Sequence, residues 1–190
     1  MLFVLSAPSG SGKTTIARRI LPMFPTLSFS VSATTRARRP RETDGVDYHF
    51  LQVDEFLRRI DAGAFAEWEE IFGCYYGTLR SEIDRANAEG RHLLFDVDVK
   101  GALSINAAYP ADAVLIFIKP PDLDTLRARL RHRGSESEDI IERRISRAAW
   151  ELEQARLFDH TVVNDDLDRS VPLVAAIIAA SAERKTVSTE

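Results

Sequence analysis

Short runs rich in Leu, Val, Ile and Phe at positions 2–5, 93–97, 114–118 and 161–163 punctuate the chain. Apolar runs of this length read as buried strands of a parallel sheet. Helically spaced apolar positions lie between and after them, at 13–21, stopping near Pro22, and at 123–131, 138–157 and 167–180. The alternation predicts an α/β fold, a parallel sheet covered by helices. A weaker strand at 27–31 leads into a polar, arginine-rich segment, an extended piece at 48–51, a short helix from Asp54 and extended pieces at 65–71. This middle third interrupts the alternation and reads as a mobile insertion carried by the sheet. Residues 131–142, rich in Arg, Ser and Glu, read as a second insertion.

A length of 190 residues suits one domain with a single core. The formal charge of -4 argues against a general nucleic-acid binder, which needs a basic excess to displace counterions from phosphates. The lone cysteine, Cys74, excludes an internal disulfide, and no charged-then-apolar leader or spanning apolar stretch precedes the first motif. A cytoplasmic protein without a membrane partner is expected. His49, His92, His132 and His160 lack metal-ligand spacing, so no structural zinc is expected.

Residues 7–15 read APSGSGKTT, between the first predicted strand and the first predicted helix. That is the setting of a phosphate-binding loop. Gly10 and Gly12 allow backbone conformations closed to other residues, so successive N–H groups can turn inward around a β-phosphate. The helix that follows aims its positive end at the same point. Lys13 then reaches the β- and γ-phosphates, the Thr14 hydroxyl ligates a bridging Mg²⁺, and Thr15 lies near the α-phosphate. Ser9, Gly10, Ser11, Gly12, Lys13, Thr14 and Thr15 are thus the candidate site for a nucleoside triphosphate. The strict pattern has glycine at the position of Ala7, a strand end where alanine is tolerated.

Residues 30–48 read SVSATTRARRPRETDGVDY, with four arginines in six positions. They suit a solvated basic patch, or a clamp on a phosphate monoester, for which planar guanidinium forks are the best side-chain ligands. The hydroxyls of Ser32, Tyr48 and Tyr76 would complete such a clamp. Taken with GCYYGT at 73–78, LFDVDVKGA at 94–102 and VVNDDLD at 162–168, the segment closely resembles the guanylate kinase family, almost end to end and with its motifs in order.

The resemblance implies a P-loop-type fold and the Mg²⁺-dependent reaction of ATP with GMP to give ADP and GDP, serving nucleotide recycling and GTP supply. It divides the chain into a core (1–31, 80–130 and 143–190), a nucleotide-monophosphate insertion (32–79) and a lid (131–142). It implies that Arg36 and Arg39, with Ser32, Tyr48 and Tyr76, clamp the GMP phosphate, and that Glu67, Thr78 and Asp98 read guanine. Guanine offers two donors on one edge and a carboxylate only accepts, which suits those residue types. Glu67 also fits a surface carboxylate beside Trp68, and Tyr75 ordinary core packing. The family usually has proline at Arg38 and glutamine at Lys100, so Arg38 reads as a solvated extra charge.

RHRGSESEDIIERRI at 131–145 resembles the family's lid. The resemblance implies that Arg133 and Arg144 reach ATP and the transferring phosphoryl, with Arg129 and Arg131 as helpers, and assigns the chemistry to Lys13, Arg36, Arg133 and Arg144. Pairing of these arginines with Glu136, Glu138 and Glu142 along a helix is the competing use. Asp96 would support Mg²⁺ through water, and Asn164 resembles the family's adenine contact. No general base is required, because the acceptor phosphate is already ionised. A kinase for a bisphosphorylated sugar and a scaffold module of the same fold are the alternatives. Paired acceptors at Glu67 and Asp98 disfavour the first, and an intact phosphate loop disfavours the second.

Overall fold

The first strand, β1 (Leu2–Ser6), is buried at every position, as its unbroken apolar run requires. The computed structural model describes residues 1–40, 42–71, 73–132 and 137–187. After β1 come α1 (Lys13–Ile20), β2 (Leu27–Phe29), β3 (Ala33–Thr34), β4 (His49–Phe50), α2 (Val53–Asp61), β5 (Phe65–Ile71) and β6 (Cys74–Leu79). The chain continues through α3 (Arg80–Ala88), β7 (His92–Asp96), α4 (Val99–Ala108), β8 (Ala113–Lys119), α5 (Leu123–His132), α6 (Glu138–Glu153), β9 (His160–Val163) and α7 (Leu167–Val187).

Five strands form a wholly parallel sheet in the order β2-β7-β1-β8-β9. Alternate residues of β1 face opposite ways. Phe3 and Leu5 pack with Ile16 and Ile20 of α1 and Val174 and Ile178 of α7. Leu2 and Val4 pack with Ile83 of α3 and Val99 and Ile105 of α4. Two covered faces leave no exposed position in the strand, which is why Leu2 to Leu5 reads as a run and not as an alternation. The register sets Leu5 beside Asp96, so the loop after β1 and the end of β7 emerge together at the carboxyl edge, where open α/β sheets hold ligands.

The middle third builds a second sheet, β4-β3-β6-β5, in which β3 and β4 are parallel and the other pairings antiparallel. Its own small core is Ala33, Phe56, Phe65 and Leu79, with the Phe56 and Phe65 rings stacked 4.3 Å apart. Tyr75 stacks on Phe56 at 5.5 Å, as core packing. The α5–α6 pair is joined by Leu126 and Leu130 against Ile141, Ile145 and Ala148.

Several bounds differ from the pattern. The strand expected at 27–31 ends at Phe29, the helix expected at 138–157 gives way to a 3₁₀ turn at Gln154–Leu157, and α7 continues past Ala180. α3 and α4 are helices the apolar pattern does not flag. In α3 only Glu82, Ile83 and Ala86 are buried, and α4 packs mainly through small residues, so neither carries a clear apolar stripe. No helix among the described residues is long and apolar enough to cross a membrane.

Candidate active site

Gly10 and Gly12 take φ values of 98° and 89°, the left-handed region that a phosphate loop needs. At Gly12 the restriction is also one of space, because a Cβ there would collide with Nδ2 of Asn164. Asn164 is 3% exposed, and its Nδ2 donates to the Ser11 carbonyl at 2.7 Å, so it braces the loop from behind. Its Oδ1 is a buried acceptor with no hydrogen-bond partner among the described residues. Arg129 in turn donates to the Asn164 carbonyl at 3.0 Å. Lys13 donates to the Val97 carbonyl at 2.6 Å and forms an ion pair with Asp96, whose other oxygen accepts from the Thr14 hydroxyl at 2.6 Å. Arg144 donates to the Ser9 hydroxyl at 2.7 Å.

The other end of the cleft is acidic. Along β5, Phe65 and Glu67 point inward while Trp68 is exposed, which leaves the Glu67 carboxyl only 9% exposed. Thr78, opposite it on β6, donates to Glu67 Oε1 at 2.7 Å. Burial pushes the Glu67 carboxyl up to about 7; the Thr78 hydrogen bond opposes the shift and the neighbouring Asp98 and Glu69 add to it. Asp98 caps α4, accepting from the Gly101 N–H at 2.9 Å on one oxygen and from Arg147 at 2.6 Å on the other. A Cβ at Gly101 would stand 2.8 Å from Glu67 Oε2, so only glycine lets the carboxyl rest there. One cleft of about 340 Å³ joins both ends, lined by residues 7–15, Ser32, Arg39, Tyr48, Glu67, Tyr76, Asp96, Asp98, Arg144 and Arg147.

Arg36 stands at the rim and not on the cleft wall. It pairs with Glu42 at 2.7 Å and lies over the Tyr48 ring, 5.4 Å from its centroid. That hydrogen bond holds Glu42 below the usual carboxylate range, and the Arg39 backbone N–H donates to the same carboxylate at 2.8 Å. Burial, then the Asp96 charge, pushes the Tyr48 hydroxyl up to about 12, so at neutral pH it is a donor. Arg133 lies outside the described residues, as does Glu136. Of the other lid charges, Arg131 pairs with Glu138, while Glu142 accepts from Arg127 at 3.0 and 3.1 Å. Arg38 is exposed, and Lys100 pairs with Glu69 at 2.9 Å. Sequence reasoning missed Arg147, Glu69 and Glu151. The available signal was the spacing of Arg144, Arg147 and Glu151, three and four apart on one face of α6.

The sequence model of the guanylate kinase family matches residues 1–181. The chain belongs to the guanylate kinase family. A guanylate kinase of Salinibacter ruber is 52% identical over 171 residues, covering 90% of each chain. The crystal structure of a guanylate kinase from Anaplasma phagocytophilum aligns with a TM-score of 0.78 at 31% identity, over 95% of this chain and 85% of that one. A gluconokinase from Sinorhizobium meliloti aligns with a TM-score of 0.55 at 15% identity, over 99% and 97% of the two chains. That likeness is one of fold. Within the guanylate kinase family, then, this member carries a complete phosphate loop and two acceptor carboxyls, Glu67 and Asp98, in one cleft.

Proposed function

We propose that the chain transfers the γ-phosphoryl group of ATP to GMP, giving ADP and GDP, with Mg²⁺ held at Thr14 and, through water, at Asp96. The observation that carries this reading is the shared cleft: a glycine-shaped phosphate loop at one end and the buried Glu67 carboxyl at the other. The Thr14 hydroxyl and the Asp96 carboxylate are hard oxygen donors 2.6 Å apart at the mouth of the loop. Among the described residues no group of three or more His, Cys, Asp or Glu could hold a metal. The two donors nevertheless fit Mg²⁺, which takes one or two protein oxygens and completes its shell with phosphate and water. Bound there, the ion would neutralise charge on the phosphate oxygens.

In this reading the backbone N–H groups of residues 9–15 cradle the donor phosphates. Lys13 leaves Asp96 for the phosphates, where its charge acts on the oxygens that gain negative charge. The GMP phosphate displaces Glu42 from Arg36 and Arg39, with Ser32, Tyr48 and Tyr76 as hydroxyl partners. Ionised Glu67, held by the buried Thr78, accepts with Asp98 from the guanine edge. Residues 32–79 act as the acceptor-binding insertion. Residues 131–142 act as a lid bringing Arg133 over the phosphoryl group beside Arg144, which also excludes water as a rival acceptor. Asn164, expected as an adenine contact, is buried behind the loop and serves instead as its brace.

A coupled assay of ADP release with GMP, AMP, CMP, UMP and a ribose bisphosphate, each with and without Mg²⁺, tests this. Release with GMP and Mg²⁺ far above every other combination is the expected result. Equal release with the sugar bisphosphate, or none with GMP, would overturn it.

A further inference from the structure

We infer that Arg147 is a positioning residue for the acceptor base: from α6 it holds the Asp98 and Glu69 carboxylates in place beside Glu67. The inference rests on the GMP reading of the base end of the cleft. Arg147 donates to Asp98 at 2.6 Å and to Glu151 at 3.0 Å, and lies 3.5 Å from Glu69. Asp98 is therefore held at both oxygens, by the Gly101 N–H and by Arg147, which sets the direction of its remaining lone pairs. Glu151, on the same helix four residues on, is buried and orients the guanidinium from behind.

The charges facing this point come from every packed element: Glu67 and Glu69 from β5, Tyr76 from β6, Asp98 and Lys100 from the start of α4, Glu151 and Arg144 from α6, and Lys13 from α1. Four carboxyls thus converge, and Arg147 is the cation that touches three of them. Burial, then the hydrogen bond with Asp98, pushes Glu69 up, and the Lys100 hydrogen bond and, less strongly, the charge of Arg147 oppose that. Burial also pushes Glu151 up, against its hydrogen bond from Arg147. The planar guanidinium meets Glu151 through Nε and Asp98 through Nη2 in one fixed geometry, which a flexible ammonium holds less rigidly. Buried ion pairs often add little net stability over apolar replacements. What a charged cluster at a binding site supplies is fixed direction for its acceptors. Arg144 and Arg147 are three residues apart, so one helix face meets both Ser9 of the phosphate loop and the Asp98 carboxylate.

The test uses the whole chain with Arg147→Met and Arg147→Lys. Melting temperature is recorded beside kcat and KM for GMP and for ATP between pH 5.5 and 8.5. Loss of a charged hydrogen bond predicts KM for GMP about 10- to 100-fold higher in Arg147→Met. KM for ATP and kcat at saturating GMP should stay within about threefold, since neither depends on the base contact. Without Arg147 the Glu69 and Glu151 carboxyls lose an opposing positive charge, so the acidic rise in KM for GMP should move to higher pH. Arg147→Lys should recover part of the loss. A lower melting temperature with unchanged KM and unchanged pH profile would make Arg147 a structural residue and overturn the inference, as would equal losses for both nucleotides. If Arg147→Met does not fold, Arg147→Lys decides, and failure of both to fold also assigns a structural role. A wild-type chain inactive on GMP would instead sink the underlying reading.

Discussion

Glu67→Gln separates what the Glu67 carboxyl does for the substrate from what it costs the fold. Its pKa of about 7 stands well above the ordinary 4.5, so between those values the native state binds more protons than the unfolded chain. Stability must then fall as pH rises through that window. The penalty is absent well below 4.5 and complete above 7. At 1.36 kcal/mol per pH unit, the shift amounts to about 1 kcal/mol at pH 5 and about 3 kcal/mol at pH 8. Glutamine cannot ionise, keeps an acceptor for the Thr78 hydroxyl, and offers an amide N–H toward the nearby Asp98 carboxylate. The variant without nucleotide should therefore gain about 2–3 kcal/mol on wild type between pH 5 and pH 8. For a chain of this size that is a melting-temperature gain of about 5–10 °C. The same change puts an NH₂ donor against the donors of guanine, so kcat/KM for GMP should fall by about 10² or more while activity on AMP holds or rises. Melts at four pH values beside GMP and AMP kinetics would check both arms. Parallel stability curves for the two proteins, or a less stable variant at pH 8, would refute the burial argument. Equal losses on GMP and AMP would refute the base-reading argument.

Other outcomes follow from the same geometry. Lys13→Ala should lower kcat by orders of magnitude with an unchanged circular-dichroism spectrum, because the lysine acts where phosphate charge develops; near-normal turnover would remove it from the donor site. Arg36→Ala and Arg39→Ala should each weaken GMP by about 1.5–3 kcal/mol in calorimetry and leave ATP unchanged; the reverse pattern would misplace the clamp. Gly12→Ala combines a left-handed φ with a clash against Asn164, and should cost about 1–3 kcal/mol of stability in denaturant melts as well as ATP affinity. A neutral result there would mean that the brace yields.

The parallel core was legible because its strands are covered on both faces, so burial leaves an apolar run at 2–5 and at 93–95 whatever the neighbours are. The phosphate loop was legible because its chemistry is local: glycines, lysine and threonine act within residues 7–15 through their own backbone and the helix they open. The second sheet was not legible as a sheet. β3 has two residues and owes its place to Thr34 pairing with Tyr76, a partner no local pattern names. Strand order likewise depends on which elements pack together. Glu67 could be found by resemblance, but its raised pKa depends on what covers it: Thr78, Gly101, Asp98 and the closing of β5 onto α4. Sequence by itself therefore determined the elements whose burial or chemistry is settled by near neighbours. Only the tertiary structure decided the pairings of Asn164 with Ser11, Lys13 with Asp96, and Arg147 with Asp98, because each joins residues far apart in the chain whose distance is set by packing of the whole fold.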